Sequence, residues 1–214
     1  MLISFMGDLH LGNQAAKVKA FEGALFRADK VVLMGDLIEG ITKKDIRHSK
    51  DSIMDYSEQV TELIKLLKPY KNKILRYVEG NHEETLHSRS DIDTVGLVCG
   101  TLGIQSCYTD ILKIDDCSIF ITHGSGAPQT YQGAVAKILS YAKDHTADYY
   151  FIGHTHKLLD ISIQHDPNPY TIINTGSFLG QPEYAKKRAY PKPINGYYIL
   201  NTVTTKLSKI QWND

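Results

Sequence analysis

The chain has 214 residues, 42% hydrophobic and 22% charged, and its 24 lysines and arginines balance 24 aspartates and glutamates. That composition excludes a disordered chain, and the neutral total removes the general basic field on which non-specific nucleic-acid binders depend. A unit of this length buries about 70% of its unfolded surface, so its core needs no disulfide staple.

No repeat, low-complexity stretch or Gly/Ser-rich linker interrupts the sequence, which predicts one domain over residues 1–214. Three cysteines, Cys99, Cys107 and Cys117, form no CxxC pair and read as buried thiols in a reducing compartment. The N-terminus lacks a basic leader, and no run approaches the ~18 apolar residues of a membrane span. A cytoplasmic protein with no membrane partner and no obligate protein partner is expected.

In chain order, the first short β-prone run covers residues 2–7 and leads to Asp8. Val18, Phe21 and Leu25 recur at spacings of three and four, which predicts a helix. Residues 31–35 form the next strand pattern and lead to Asp36. Ile53, Tyr56, Val60, Leu63, Ile64 and Leu67 mark a second helix, ended by Pro69. Residues 74–80 lead to Asn81 and His82, residues 118–122 to His123, and residues 149–153 to His154. Between the last two, Val135, Ile138, Leu139 and Ala142 stripe a third helix. The remaining runs, 159–163, 171–174, 197–200 and 206–212, read as strands joined by turns. Strands alternating with helices, followed by consecutive strands, predict an α/β fold with a mixed sheet.

Ligands of α/β sheets bind beyond the carboxyl ends of the strands. Five strands here end in Asp, Asn or His, so their side chains are expected to converge at one edge. Within Asp8-Leu9-His10 and His154-Thr155-His156 the pairs stand two apart, which in extended chain directs both members to one face. Asp8, His10, Asp36, Asn81, His123, His154 and His156 offer carboxylate, imidazole and amide but no thiolate. That chemistry suits manganese, iron, zinc, nickel or cobalt, and argues against a structural zinc site. Seven donors exceed one tetrahedral ion and suit two ions about 3.5–4 Å apart sharing a carboxylate.

The blocks Gly7-Asp8-Leu9-His10, Gly35-Asp36-Leu37-Ile38-Glu39, Gly80-Asn81-His82-Glu83, His123-Gly124 and Gly153-His154-Thr155-His156 resemble, in order, those of the calcineurin-like metallophosphoesterase family. The resemblance implies a four-layer αββα sandwich of two mixed sheets flanked by helices, holding two divalent metal ions, manganese foremost. Carried over by position, Asp8, His10 and His156 hold one ion, Asn81, His123 and His154 the other, and Asp36 bridges them. Asn81 and His82 then face the substrate phosphate. Glu39 falls where an acid orients that histidine, although glutamate is a longer reach than the aspartate more often found there. The implied reaction is hydrolysis of phosphodiesters or phosphomonoesters by a metal-bridging hydroxide, with His82 protonating the leaving oxygen. Two divalent cations against two carboxylates and one hydroxide leave about +1, which favours an anionic ester and its transition state. A nuclease acting on DNA or RNA ends is the alternative within this chemistry, and a non-catalytic scaffold the alternative outside it.

Two charged segments, residues 43–48 and 85–89, follow the Asp36 and Asn81 blocks. They read first as solvated surface; the other reading has them overhang the ions, with Arg89 gripping phosphate. His48, His87, His145 and His165 lie in polar stretches and read as exposed. Lys186-Lys187-Arg188, with Tyr184 and Tyr190 nearby, forms a basic-aromatic cluster of the kind that binds single strands, or an ordinary charged surface.

Overall fold

Residues two apart on a strand share a face, and β1 (Leu2–Met6) shows what that period does here. Ile3 and Phe5 turn into one apolar cluster and Met6 into another, so the strand is covered on both sides. The next strand, β2 (Lys30–Leu33), divides in the same way, with Val32 in the first cluster and Val31 and Leu33 in the second. Buried on both faces, these strands read as continuous apolar runs rather than alternating ones.

The computed structural model describes residues 1–41, 50–126, 130–143, 146–164, 168–189 and 192–212. After β1 and α1 (Val18–Arg27) come β2, α2 (Tyr56–Leu67), β3 (Ile74–Val78), α3 (Asn81–Ser90), α4 (Thr94–Leu102), β4 (Ser106–Cys107) and β5 (Thr109–Ile114). Next are β6 (Cys117–Thr122), α5 (Tyr131–Tyr141), β7 (Tyr149–Ile152), β8 (Leu158–Ile163), β9 (Tyr170–Thr175), α6 (Glu183–Lys187), β10 (Asn195–Asn201) and β11 (Lys206–Trp212).

Two mixed sheets result. The first has the order β11-β10-β1-β2-β3-β4, with β1 through β4 parallel and β10 and β11 antiparallel at one side. The second has the order β5-β6-β7-β9-β8, parallel through β6, β7 and β9. Phe5 of one sheet stacks on Phe151 of the other, with ring centroids 3.5 Å apart, inside a cluster that includes Val32, Val78, Ile119, Ile121 and Ile173. The outer face of the first sheet packs on α1, α2 and α4 through Phe21, Leu25, Leu63 and Val98. The outer face of the second packs on α5 through Ile138. Four layers, αββα, follow from these three clusters, as expected.

The helix expected from Ile53 begins instead at Tyr56. Asp55 caps it, accepting from Glu58 N at 2.9 Å while Glu58 Oε2 accepts from Asp55 N at 2.8 Å. Ile53 is left exposed outside it. The β4 and β5 strands and helices α3, α4 and α6 go beyond the sequence expectation. The α3 helix is mostly polar and shows no clean apolar stripe, whereas in α4 Val95, Val98, Cys99 and Leu102 do stand at helical spacing and are buried.

Candidate metal centre

The parallel strands β1, β2 and β3 of the first sheet, and β6 and β7 of the second, end at one edge of the sandwich. Just past those ends lie Asp8 and His10, Asp36, Asn81, His123, and His154 and His156. The contacts between sheets are direct. His123 Nδ1 donates to Met34 O at 2.7 Å, its Nε2 lies 3.1 Å from Asn81 Oδ1, and His154 N donates to Asp8 Oδ2 at 3.2 Å.

The backbone that achieves this is left-handed. Asp8, His10, Asp36, His154 and His156 have φ of 51°, 52°, 49°, 67° and 55°. This corrects the expectation of extended pairs, because β1 ends at Met6 and β7 at Ile152, before the residues in question. A non-glycine residue in that region carries a cost of about 1–2 kcal/mol and persists only where the surroundings hold it. Five such residues at one edge are strain gathered at a site. Gly35, at φ +87°, sits among them for a steric reason. A Cβ there would come within 2.7 Å of His123 Nδ1 and 2.8 Å of Gly80 Cα.

Ligand atoms of Asp8, His10 and His156 lie within 4.8 Å of one another, and so do those of Asp36, His123 and His154. Asp36 stands between the groups, its Oδ2 3.3 Å from His123 Nε2 and 3.8 Å from His10 Nε2. His10 Nε2 meets His156 Nε2 at 3.3 Å, and His156 Nε2 is 3.1 Å from Asp8 Oδ1. Neither ring nitrogen of His154 has a hydrogen-bond partner although both are shielded from solvent. Unpaired buried imidazole nitrogens facing carboxylates, with no thiolate, fit divalent cations of the manganese-to-zinc kind. The donor chemistry fits such cations.

Without cations the electrostatics are those of a proton-holding cluster. Burial works to lower the His123 pKa, but the Asp36 carboxylate outweighs it and pushes the ring up to about 10. Burial likewise works to raise Asp36, yet the His123, His82 and His10 rings hold it well below the usual carboxylate range. Burial dominates for His10 and His154 and lowers both, helped by the neighbouring His82 and His123 charges respectively.

Asn81 and His82 do not lie in a loop: they open α3, whose N-terminus carries a partial positive charge toward the cluster. His82 N donates to Asp36 Oδ1 at 2.9 Å, and its Nδ1 bonds the main-chain carbonyl of Glu39. The expected partner was the Glu39 side chain. That carboxylate instead faces His10 Nδ1 at 3.3 Å and accepts from Asn13 Nδ2 at 3.2 Å. Arg89 is not brought to the cluster. It lies eight residues along α3 from Asn81, about 12 Å of helical rise, and is exposed. His87 is exposed as expected.

Residues 43–48, His145, His165 and Tyr190 lie outside the described residues, as does the side chain of Tyr184. Lys186, Lys187 and Arg188 are exposed.

Two supports escaped the sequence reading. Glu83 is 1% exposed and accepts from Asp36 N, Leu37 N and Ile38 N at 3.1, 2.8 and 3.4 Å, and from the Tyr77 hydroxyl at 3.0 Å. Ser177 Oγ and Phe178 N both donate to Asp8 O, at 3.0 and 3.1 Å. Glu83 follows His82 directly, so its place in that block was the available signal. For Ser177, 169 positions from Asp8, there was none.

The fold has counterparts among solved structures. A metallophosphoesterase from Sphaerobacter thermophilus superposes with a TM-score of 0.58 at 17% identity, over 100% of this chain and 89% of that one. A novel archaeal phosphodiesterase gives 0.57 at 17% identity, over 99% and 100%. Yfce, a phosphoesterase from E. coli, gives 0.53 at 15% identity, over the whole of both chains. No curated protein matches the chain by sequence. Residues 1–190 match the description of the calcineurin-like phosphoesterase superfamily domain, and the chain belongs to that family.

Proposed function

We propose that the protein hydrolyses phosphoesters, diesters in the first place, with two divalent cations at the Asp36 edge. One observation carries this reading: of two groups of ligand atoms, each within 4.8 Å, one contains the buried Asp36 carboxylate, whose Oδ2 is also 3.8 Å from His10 Nε2 of the other. Asp8, His10 and His156 would hold one cation, Asn81, His123 and His154 the other, and Asp36 would serve both. Cations bound there supply Lewis acidity toward a phosphoryl oxygen and lower the pKa of bound water toward about 7.

The chain's own residues do the rest. The Met34 carbonyl accepts a hydrogen bond from His123 Nδ1–H, so in the neutral ring the Nε2 lone pair is the one presented to the cluster. The Glu39 carbonyl accepts from His82 Nδ1–H, so the second proton of the imidazolium, on Nε2, is the one available to the leaving oxygen. The α3 N-terminus adds favourable potential for an anionic ester. Manganese is the proposed metal, on the mixed oxygen and imidazole donors. Likeness to an archaeal phosphodiesterase supports the diester preference. The substrate is a small phosphoester or a nucleic-acid end, and three unpaired cysteine positions fit a cytoplasmic setting.

The test is turnover of an aryl phosphodiester and an aryl phosphomonoester with Mn²⁺, before and after EDTA. Hydrolysis that EDTA abolishes supports the reading. A folded, Mn²⁺-loaded protein inert to both esters overturns it in favour of a scaffold.

A further inference from the structure

Glu39 addresses two histidines through two different parts of itself. Its carbonyl oxygen accepts from His82 Nδ1, and its carboxylate oxygen Oε2 lies 3.3 Å from His10 Nδ1. That is an ion-pair distance rather than a completed hydrogen bond, and His10 Nδ1 is a buried atom with no hydrogen-bond partner among the described residues, so the Glu39 carboxylate is the acceptor that faces it. The other carboxylate oxygen, Oε1, is occupied by Asn13 Nδ2. The Asn13 amide cannot turn over freely, because its Oδ1 accepts from Ala15 N at 2.9 Å. The segment itself is laced to the Asp8 loop: Glu39 N donates to Leu11 O at 2.9 Å, and Leu11 bridges Ile38. Glu39 is 4% exposed, so bulk solvent competes little for these contacts.

Resting on the phosphoesterase reading, we propose that the Glu39 carboxylate is a positioning group for His10. It keeps the His10 proton on Nδ1, so that the Nε2 lone pair faces Asp8 and His156. The main chain of Glu39, which no side-chain substitution removes, positions His82. A neutral imidazole has one N–H, and whichever nitrogen carries it cannot also be a ligand. The orientation of Asn13 makes the assignment testable. In Glu39→Gln, the Asn13 donor selects the new amide oxygen, which leaves the new NH₂ group facing His10 Nδ1. That contact favours the opposite tautomer, with the proton on Nε2. Exchanging the polarity of the pair restores the original arrangement. In Asn13→Asp with Glu39→Gln, the aspartate accepts from the glutamine NH₂ and still accepts from Ala15 N, and the glutamine oxygen returns to His10.

The experiment records ¹⁵N imidazole NMR on metal-free protein together with Mn²⁺ affinity. Glu39→Gln should move His10 from Nδ1–H to Nε2–H and weaken Mn²⁺ binding about 10–100-fold, the usual effect of losing a partner behind a ligand. The double variant should recover affinity to within about threefold of the starting protein. The His82 tautomer should stay unchanged throughout. Glu39→Gln with affinity within about threefold of the starting protein overturns the proposal, and so does a His82 tautomer that changes with it. Because ligand atoms of His10, Glu39 and His82 also lie within 4.8 Å of one another, a third result is decisive. Lost Mn²⁺ binding with an unchanged His10 tautomer and no rescue makes Glu39 a ligand itself and overturns the positioning role. A starting protein that binds no Mn²⁺ refutes the phosphoesterase reading, while the metal-free tautomers still decide the Glu39 contact.

Discussion

Asp36 Oδ2 and His123 Nε2 meet at 3.3 Å, with the two side chains 2% and 3% exposed. In metal-free protein this is a buried ion pair, with the His123 pKa at about 10 and Asp36 well below its ordinary range. A histidine raised on folding stabilises in full below its ordinary value of about 6.5, and that stabilisation drains away as the pH climbs toward about 10. The Tm of metal-free protein should therefore fall across that interval. On the acid side, the depressed Asp36 stabilises above about pH 4 and ceases to as the pH drops further. Cations must displace the His123 proton, so loading should release protons and remove the alkaline decline. A metal-free Tm that is flat from pH 6.5 to 10 would refute the pair.

Asp36→Asn keeps an acceptor for His82 N, which now bonds Oδ1 at 2.9 Å, but turns an NH₂ toward His123 and His10. If both cations depend on this carboxylate, elemental analysis should find about one ion per chain or fewer. Two retained ions would exclude the shared role.

His82→Ala removes a ring outside the two ligand sets proposed for the cations and leaves the α3 backbone intact. The variant should hold its Mn²⁺ while kcat falls about 10²–10⁴-fold, the usual worth of a proton donor. Undiminished kcat would take His82 out of the reaction.

Glu83→Ala strands three buried backbone N–H groups and the Tyr77 hydroxyl. Each unsatisfied donor costs about 1–3 kcal/mol. Urea unfolding should show a loss of about 4 kcal/mol or more, less in Glu83→Gln, which retains an acceptor. A loss under about 1 kcal/mol would mean that the Asp36 loop is held by other contacts.

Particular residues show how far the sequence could be read. The strand runs before Asp8, Asp36, Asn81, His123 and His154 were visible because they are largely buried on both faces and hence mostly apolar, with Ser4, Arg76 and Ser118 as exceptions. The α3 helix was hidden by its polar composition, so Asn81 and His82 read as strand-end loop residues when they are the first turn of a helix. Arg89 looked close to the site because eight residues in a loop can fold back, whereas eight in a helix carry it about 12 Å away. Glu39 was recognised as a partner for a histidine, but the wrong one. Which atom meets which ring depends on how the Glu39 and Leu11 segments pair, and that is a long-range hydrogen bond.

The amino-acid order by itself determined the strand and helix pattern, the donor types and their places after the strands, because apolar periodicity and residue chemistry are local properties. Only the tertiary structure decided the left-handed backbone at five of those donors, the burial of Glu83 beneath Asp36 and the division of Glu39 between His10 and His82. Those features arise from the stacking of two sheets face to face, which brings residues from opposite ends of the chain within hydrogen-bonding reach at their common edge.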